Sequence, residues 1–166
     1  MSQGRKLEGL TIGTIRTGLI RGTTSTYTTT VISAGMINGK YVTALAAQTN
    51  TATPTTDANT GAAFVPLTAN QATVIVVGQT VAGVIQMAQG SIVPTVTGVT
   101  TTAGAFINAP QFPNVPDDFM PLGYLLVRTS PTGNAFTAGT TSWTASGITT
   151  TEFVQCGAFP DRPQTT

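Results

Sequence analysis

Threonine content is the feature that most restricts what this chain can fold into. The 166 residues include 35 threonines, and branching at Cβ suits a pleated strand but crowds a helix. Eighteen glycines and ten prolines also interrupt the chain too often for long helices. The sequence therefore predicts an all-β protein, with a body of the sandwich or jelly-roll type.

Turn residues divide the chain into seven to nine short β-prone segments. Two apolar runs, 72–78 and 82–88, flank a short turn and predict a central hairpin. Asn38-Gly39 predicts a second tight hairpin turn, because both residue types tolerate positive φ. Other strands are expected within 24–33, 119–129, 142–146 and 150–159, and 48–62 is expected to be a loop.

Both faces of the central hairpin are apolar, since residues 74–77 and 84–87 are nearly all Val, Ile and Met. A two-layer sandwich buries only one face of each sheet, so something else has to cover the other. The arm, a loop or another copy of the chain are the alternatives. Only 8% of residues are charged, which favours a second copy and predicts a homo-oligomer.

Three parts are expected along the chain: an extended N-terminal arm (1–30), the sandwich body (31–160) and a C-terminal tail (161–166). The first forty residues carry five basic residues against one acid, whereas the remainder carries two against five. We expect the arm to bind an acidic protein surface or a neighbouring copy. Nucleic acid is not expected, because the arm has a single aromatic residue for stacking. The predicted partner-binding residues are Arg5, Lys6, Arg16 and Arg21.

The sequence offers little for catalysis or metal binding. It contains no histidine, which excludes Ser-His-Asp and Cys-His nucleophiles and most zinc sites. The loop around Asp57 has the turn residues of a calcium site but a single carboxylate. Cys156 is the only cysteine and is expected to be a small buried side chain. We predict a protein that is not an enzyme and has no cofactor and no metal.

Asp117 and Asp118 are the only adjacent acids. Consecutive residues of an extended chain point to opposite faces, so the pair suits a glycosidase site poorly. Pro110, Pro113 and Pro116 hold the preceding segment extended. We interpret the two carboxylates as solvating the last turn before 119–129 enters the sheet.

No targeting or membrane segment is expected. The N-terminus lacks the charged and apolar regions of a secretory signal. The most apolar stretch, 74–96, is interrupted by three glutamines and three glycines, so it is not a membrane span. The sequence predicts a soluble chain.

Several phrases together resemble the small virion proteins of tailed bacteriophages, of the head-decoration (cement) or fibre-associated kind. They are "ALAAQTNTATPTTDANTGAAFVPLTANQATVIVVG", "QTVAGVIQMAQGSIV", "APQFPNVPDDFMPLGYLLVRT" and "FTAGTT". The resemblance covers roughly residues 41–141 and does not extend to the basic arm. It implies a β-rich, non-enzymatic oligomer on the phage head, bound to the major capsid protein or another virion protein. It favours a trimer over a dimer.

Two other functions stay open. One is a tail fibre, spike or collar component that contacts the host surface. The other is a carbohydrate-binding module or glycosidase, which an exposed aromatic platform would favour. Trp143 is the sole tryptophan and is expected in the core rather than on such a platform.

Overall fold

The computed structural model describes residues 10–108, 110–151 and 153–164, and within these ranges it contains strands and turns but no helix. None of the described residues, accordingly, forms a long apolar helix that would cross a membrane. The all-β prediction is confirmed. The strands are β1 (Ile12–Gly13), β2 (Ile20–Arg21), β3 (Thr26–Thr29), β4 (Gly35–Ile37), β5 (Lys40–Tyr41), β6 (Gln48–Ala52), β7 (Gln71–Gln79), β8 (Ile85–Gln89), β9 (Val93–Pro94), β10 (Met120–Thr129), β11 (Ile148–Thr150) and β12 (Val154–Gln155).

The two longest strands, β7 and β10, lie side by side at the centre of the main antiparallel sheet. β8 and β9 pair one after the other along the outer edge of β7. β11 and β12 do the same along the outer edge of β10. The predicted central hairpin is thus confirmed as β7–β8. Its burial on both sides explains why β7 is apolar at consecutive positions.

A β-bulge at Leu122 controls which side chains of β10 face which way. Pro121 is opposite Gly78 and Gly123 is opposite Val77, so Leu122 is an extra residue in the ladder. Because side chains alternate with a period of two, the extra residue exchanges the two faces beyond it. Leu122 therefore packs in one core cluster and Tyr124 in the other, although both are even-numbered positions.

Two small antiparallel sheets complete the sandwich. Their strand orders are β1-β4-β5 and β2-β3-β6. They contribute Leu19, Tyr27 and Ile37 to the larger core cluster, where these side chains meet Ile75 and Leu125 of the main sheet. This face of the main sheet is the interior of a two-layer sandwich.

The opposite face of the main sheet is covered by the chain's own loops. On this face the main sheet packs against side chains from the proline-rich segment (110–118) and the C-terminal segment (153–164). The residues of the main sheet that take part include Val74, Val76 and Tyr124. Loops, one of the three alternatives, thus cover this face within one chain, rather than the second copy that the charge-poor sequence favoured. The covering residues are Ala58, Phe106, Phe112, Val115, Val154, Cys156 and Phe159.

The described part of the predicted arm, residues 10–30, is extended but packs on the body. β1 pairs with β4, and β2 and β3 join β6 in one small sheet. Leu19 is only 1% exposed and Tyr27 only 3%. Leu19 and Tyr27 of this segment therefore belong to the core, and shortening the chain into it would remove core side chains.

The local structure agrees with the sequence-based prediction at one turn and differs from it in two other segments. Asn38 and Gly39 have φ of 50° and 75° and connect β4 to β5, which confirms the predicted tight turn. Residues 48–52, expected within a loop, form β6, the edge strand beside β3. Residues 142–146, expected as a strand, form turns, because Trp143 reaches the core from a loop.

Candidate interaction site

The structure separates the four predicted partner-binding residues. Arg5 and Lys6 lie outside the described residues. Arg16 is exposed, beside a cleft of about 200 Å³ at the junction of β1 and β12. Arg21 is half-buried, and its guanidinium donates a hydrogen bond of 2.6 Å to the Thr150 hydroxyl. Arg21 therefore joins β2 to β11 within the protein, and Arg16 is the described arm residue that a partner can reach.

An outward apolar side accompanies Arg16 on the N-terminal segment. While Leu19 and Tyr27 point inward, other large apolar side chains of residues 10–32 are between 42% and 59% exposed. Sequence reasoning missed this surface, because the alternation is irregular and the inward residues are few. These outward residues, here called the N-terminal apolar surface, are Leu10, Ile15, Ile20, Val31 and Ile32.

The paired acids lie at one end of the main sheet. Asp117 and Asp118 are exposed and border a cleft of about 290 Å³ together with Lys40 and Asn38. Asp118 Oδ1 accepts a 2.7 Å hydrogen bond from the backbone N–H of Val81. Asp118 thus fixes the β7–β8 turn to the proline-rich segment, a role more specific than the solvation that the sequence suggested.

Two substitutions test this structural role. Replacing both acids with asparagine is expected to change the free energy of unfolding by no more than about 0.5 kcal/mol, because the amide that replaces the Asp118 carboxylate keeps an acceptor oxygen. Asp118→Ala removes that acceptor and is expected to cost about 1 kcal/mol. Urea denaturation measures both values, and a cost of several kcal/mol for the double asparagine variant would contradict the role assigned here.

The remaining chemically distinctive residues are structural. Burial raises the pKa of the Cys156 thiol to about 11, so it stays protonated at neutral pH and is a poor nucleophile. It packs against the second core cluster but is only partly buried, whereas the sequence predicted a buried side chain. Trp143 is buried, as expected, and donates a 2.9 Å hydrogen bond from Nε1 to the Thr26 carbonyl.

A cleft of about 450 Å³ beside Asp57 has its carboxylate and its glutamine amide already engaged. Asp57 accepts hydrogen bonds from the backbone N–H groups of Asn59, Thr60 and Gln89. The amide of Gln89 accepts from the N–H of Val65 and donates to its carbonyl. These groups hold the loop after Asp57 and leave the cleft without a titratable group free to act on a ligand.

No three potential metal ligands lie together anywhere in the described ranges. Polar side chains without a partner among the described residues occur instead in a second cleft of about 430 Å³, between the proline-rich and C-terminal segments.

Comparisons with models of protein families, with curated proteins and with solved structures found no match.

Proposed function

We propose that this chain is a structural virion protein that decorates a phage capsid and stabilises it by bridging neighbouring capsid subunits. The resemblance of residues 41–141 to small virion proteins of tailed bacteriophages, of the head-decoration or fibre-associated kind, suggests this class. The observation that carries the proposal is the set of exposed apolar side chains named the N-terminal apolar surface, which occur in the same stretch of chain as the exposed Arg16. Apolar side chains accompanied by arginine are typical of the centre of a protein–protein interface.

The charge-poor surface suits permanent assembly. Charged groups are costly to bury unless they are paired, whereas threonine, alanine and glutamine surfaces lose less on burial. A protein that contacts two neighbouring capsid subunits resists their separation, because separation also breaks its own contacts. Several modest contacts acting together make such attachment effectively permanent.

Self-association is part of the proposal. We favour a homo-oligomer, with a trimer preferred to a dimer because of the resemblance to phage proteins. The second face of the main sheet is covered by the chain's own loops. Contacts between copies would therefore use outer surfaces, and the N-terminal apolar surface is one that offers several exposed apolar side chains.

Charged substitutions on this surface test the attachment. In the double variant Ile20→Asp, Ile32→Asp, two side chains 46% and 48% exposed become acidic. We expect the variant to fold and to lose at least about tenfold in affinity for capsids lacking the protein, since desolvating one unpaired charge costs more than about 1.4 kcal/mol. Co-sedimentation with such capsids measures the affinity.

A matched control is Val99→Asp, at a position 76% exposed on a different loop. It should bind like the unchanged protein. Equal binding by the double variant and the unchanged protein would exclude this surface as the attachment site, and with it the observation on which the proposal depends.

Location on a tail fibre, spike or collar is the second candidate function, and the free polar groups of the second cleft favour it. The number of copies per particle distinguishes the two. Hundreds of copies in a mass-calibrated gel of purified virions would support decoration, whereas about a dozen would support a tail component.

A further inference from the structure

The C-terminal segment crosses the proline-rich segment over the second face of the main sheet and leaves a cleft of about 430 Å³ between them. Its lining residues are Pro110, Gln111, Phe112, Asp161, Arg162 and Pro163. A volume of this size matches the clefts in which proteins bind small molecules.

Aromatic packing holds the floor of this cleft in place. The ring of Phe112 meets Tyr124 edge-on at 4.8 Å and lies 5.0 Å from the ring of Phe159. The Tyr124 hydroxyl accepts a 3.0 Å hydrogen bond from the backbone N–H of Gln164, which fixes the end of the C-terminal segment. The two walls are therefore positioned before any ligand arrives, which lowers the entropic cost of binding.

Three polar side chains at the rim have no internal role. Asp161, Arg162 and Gln111 are exposed, and none makes a side-chain hydrogen bond or ion pair with another described residue. The cleft beside Asp57 differs in this respect, because the side chains of Asp57 and Gln89 there make hydrogen bonds within the protein. A carboxylate, a guanidinium and an amide together supply both hydrogen-bond acceptors and donors.

The composition of the cleft limits what can bind. Pro110 and Pro163 have no backbone N–H, so these walls are poor templates for an added peptide strand. The carboxylate of Asp161 adjoins the charge of Arg162, which disfavours an anion such as a phosphate or a carboxylate. Pro110 and Pro163 are buried, so the half-buried ring of Phe112 is the apolar wall that the cleft offers to the C–H groups of a ligand.

We propose that this cleft binds a neutral hexose unit of a polysaccharide. The Asp161 carboxylate accepts hydrogen bonds from ring hydroxyls, and Arg162 and Gln111 donate to hydroxyl oxygens. One C–H face of the sugar lies against the apolar wall. This site does not depend on attachment to a capsid, and it gives the chain a means of contacting a glycan-covered surface.

The test is a titration of the full chain, with amide chemical shifts as the readout. The probes are the methyl pyranosides of glucose, galactose, mannose and N-acetylglucosamine, with sodium acetate as a separate anion probe. We expect at least one sugar to bind with a Kd of about 1 mM, a strength typical of one small uncharged ligand. The shifts should be confined to 110–112 and 161–164.

Two variants assign the binding to the rim. Asp161→Ala and Arg162→Ala change exposed side chains and should leave the fold intact, while each weakens sugar binding about tenfold. Asp117→Ala, an exposed carboxylate in another cleft, should bind sugar unchanged. The proposal is overturned if no sugar shifts these amides, if the two rim variants bind like the unchanged protein, or if acetate alone produces the shifts.

Discussion

Replacing Trp143 with alanine is expected to cost about 4 kcal/mol of unfolding free energy, a large part of the stability of a domain of this size. The indole is 1% exposed and lies 5.6 Å from the ring of Phe136 and 6.2 Å from that of Phe153. Its Nε1 also donates to the carbonyl of Thr26 in β3. The substitution thus leaves a large cavity and an unpaired carbonyl, and it loosens the β2-β3-β6 sheet.

Trp143→Phe separates these contributions. Phenylalanine keeps an aromatic ring in the cluster but cannot donate to Thr26, so we expect a cost of about 2 kcal/mol. Far-ultraviolet circular dichroism in a urea titration is the measurement, because either substitution removes the only tryptophan fluorophore. An alanine variant as stable as the phenylalanine variant would show that the indole site is not the packed centre described here.

The main sheet was predictable because its signals are local. Residues 72–78 and 119–129 are long apolar runs bounded by turn residues, and β7 and β10 occupy nearly these ranges. The Asn38-Gly39 turn was predictable for the same reason, since two adjacent residues determine its geometry. Where the chemistry of neighbouring residues sets the conformation, the sequence is sufficient.

The covering of the second face was not predictable, because it depends on contacts between distant segments. Phe112 and Phe159 are 47 positions apart in the sequence, and their rings meet only in the folded chain. The bulge at Leu122 is hidden for a related reason. Nothing in "MPLGYLLVRT" marks the extra residue, which becomes apparent only from the register with β7.

The candidate sites show the same division. The absence of histidine was sufficient to predict that no triad could form, and the isolation of Asp57 argued against calcium. The cleft at Asp161 and Arg162 escaped sequence analysis, because these residues were assigned to a tail. The hydrogen bond between Gln164 and Tyr124 and the burial of Pro163 show that this segment returns to the body.

The second large effect is expected at Asp57, whose carboxylate was considered only as a poor calcium ligand. Asp57 is only 7% exposed. Its carboxylate oxygens accept hydrogen bonds from the backbone N–H groups of Asn59, Thr60 and Gln89, with N···O distances of 2.8, 3.2 and 2.8 Å. Gln89 ends β8, so the carboxylate joins the 57–62 loop to the edge of the main sheet. Asp57→Ala leaves three donors without this acceptor, and we expect a cost of about 4 kcal/mol.

Asp57→Asn is the informative companion, since it preserves the shape of the side chain. One oxygen becomes an NH₂ group that faces a donor, so one hydrogen bond is lost and the others lose their charge assistance, for a cost of about 2 kcal/mol. Amide hydrogen exchange locates the effect: protection should fall at Asn59, Thr60 and Gln89 before it falls in β10.

Asp117→Ala, which removes an exposed carboxylate without a hydrogen bond among the described residues, should change neither the stability nor this exchange pattern. Equal losses at Asp57 and Asp117 would mean that the 57–62 loop is held by its apolar contacts, with the carboxylate contributing only solvation.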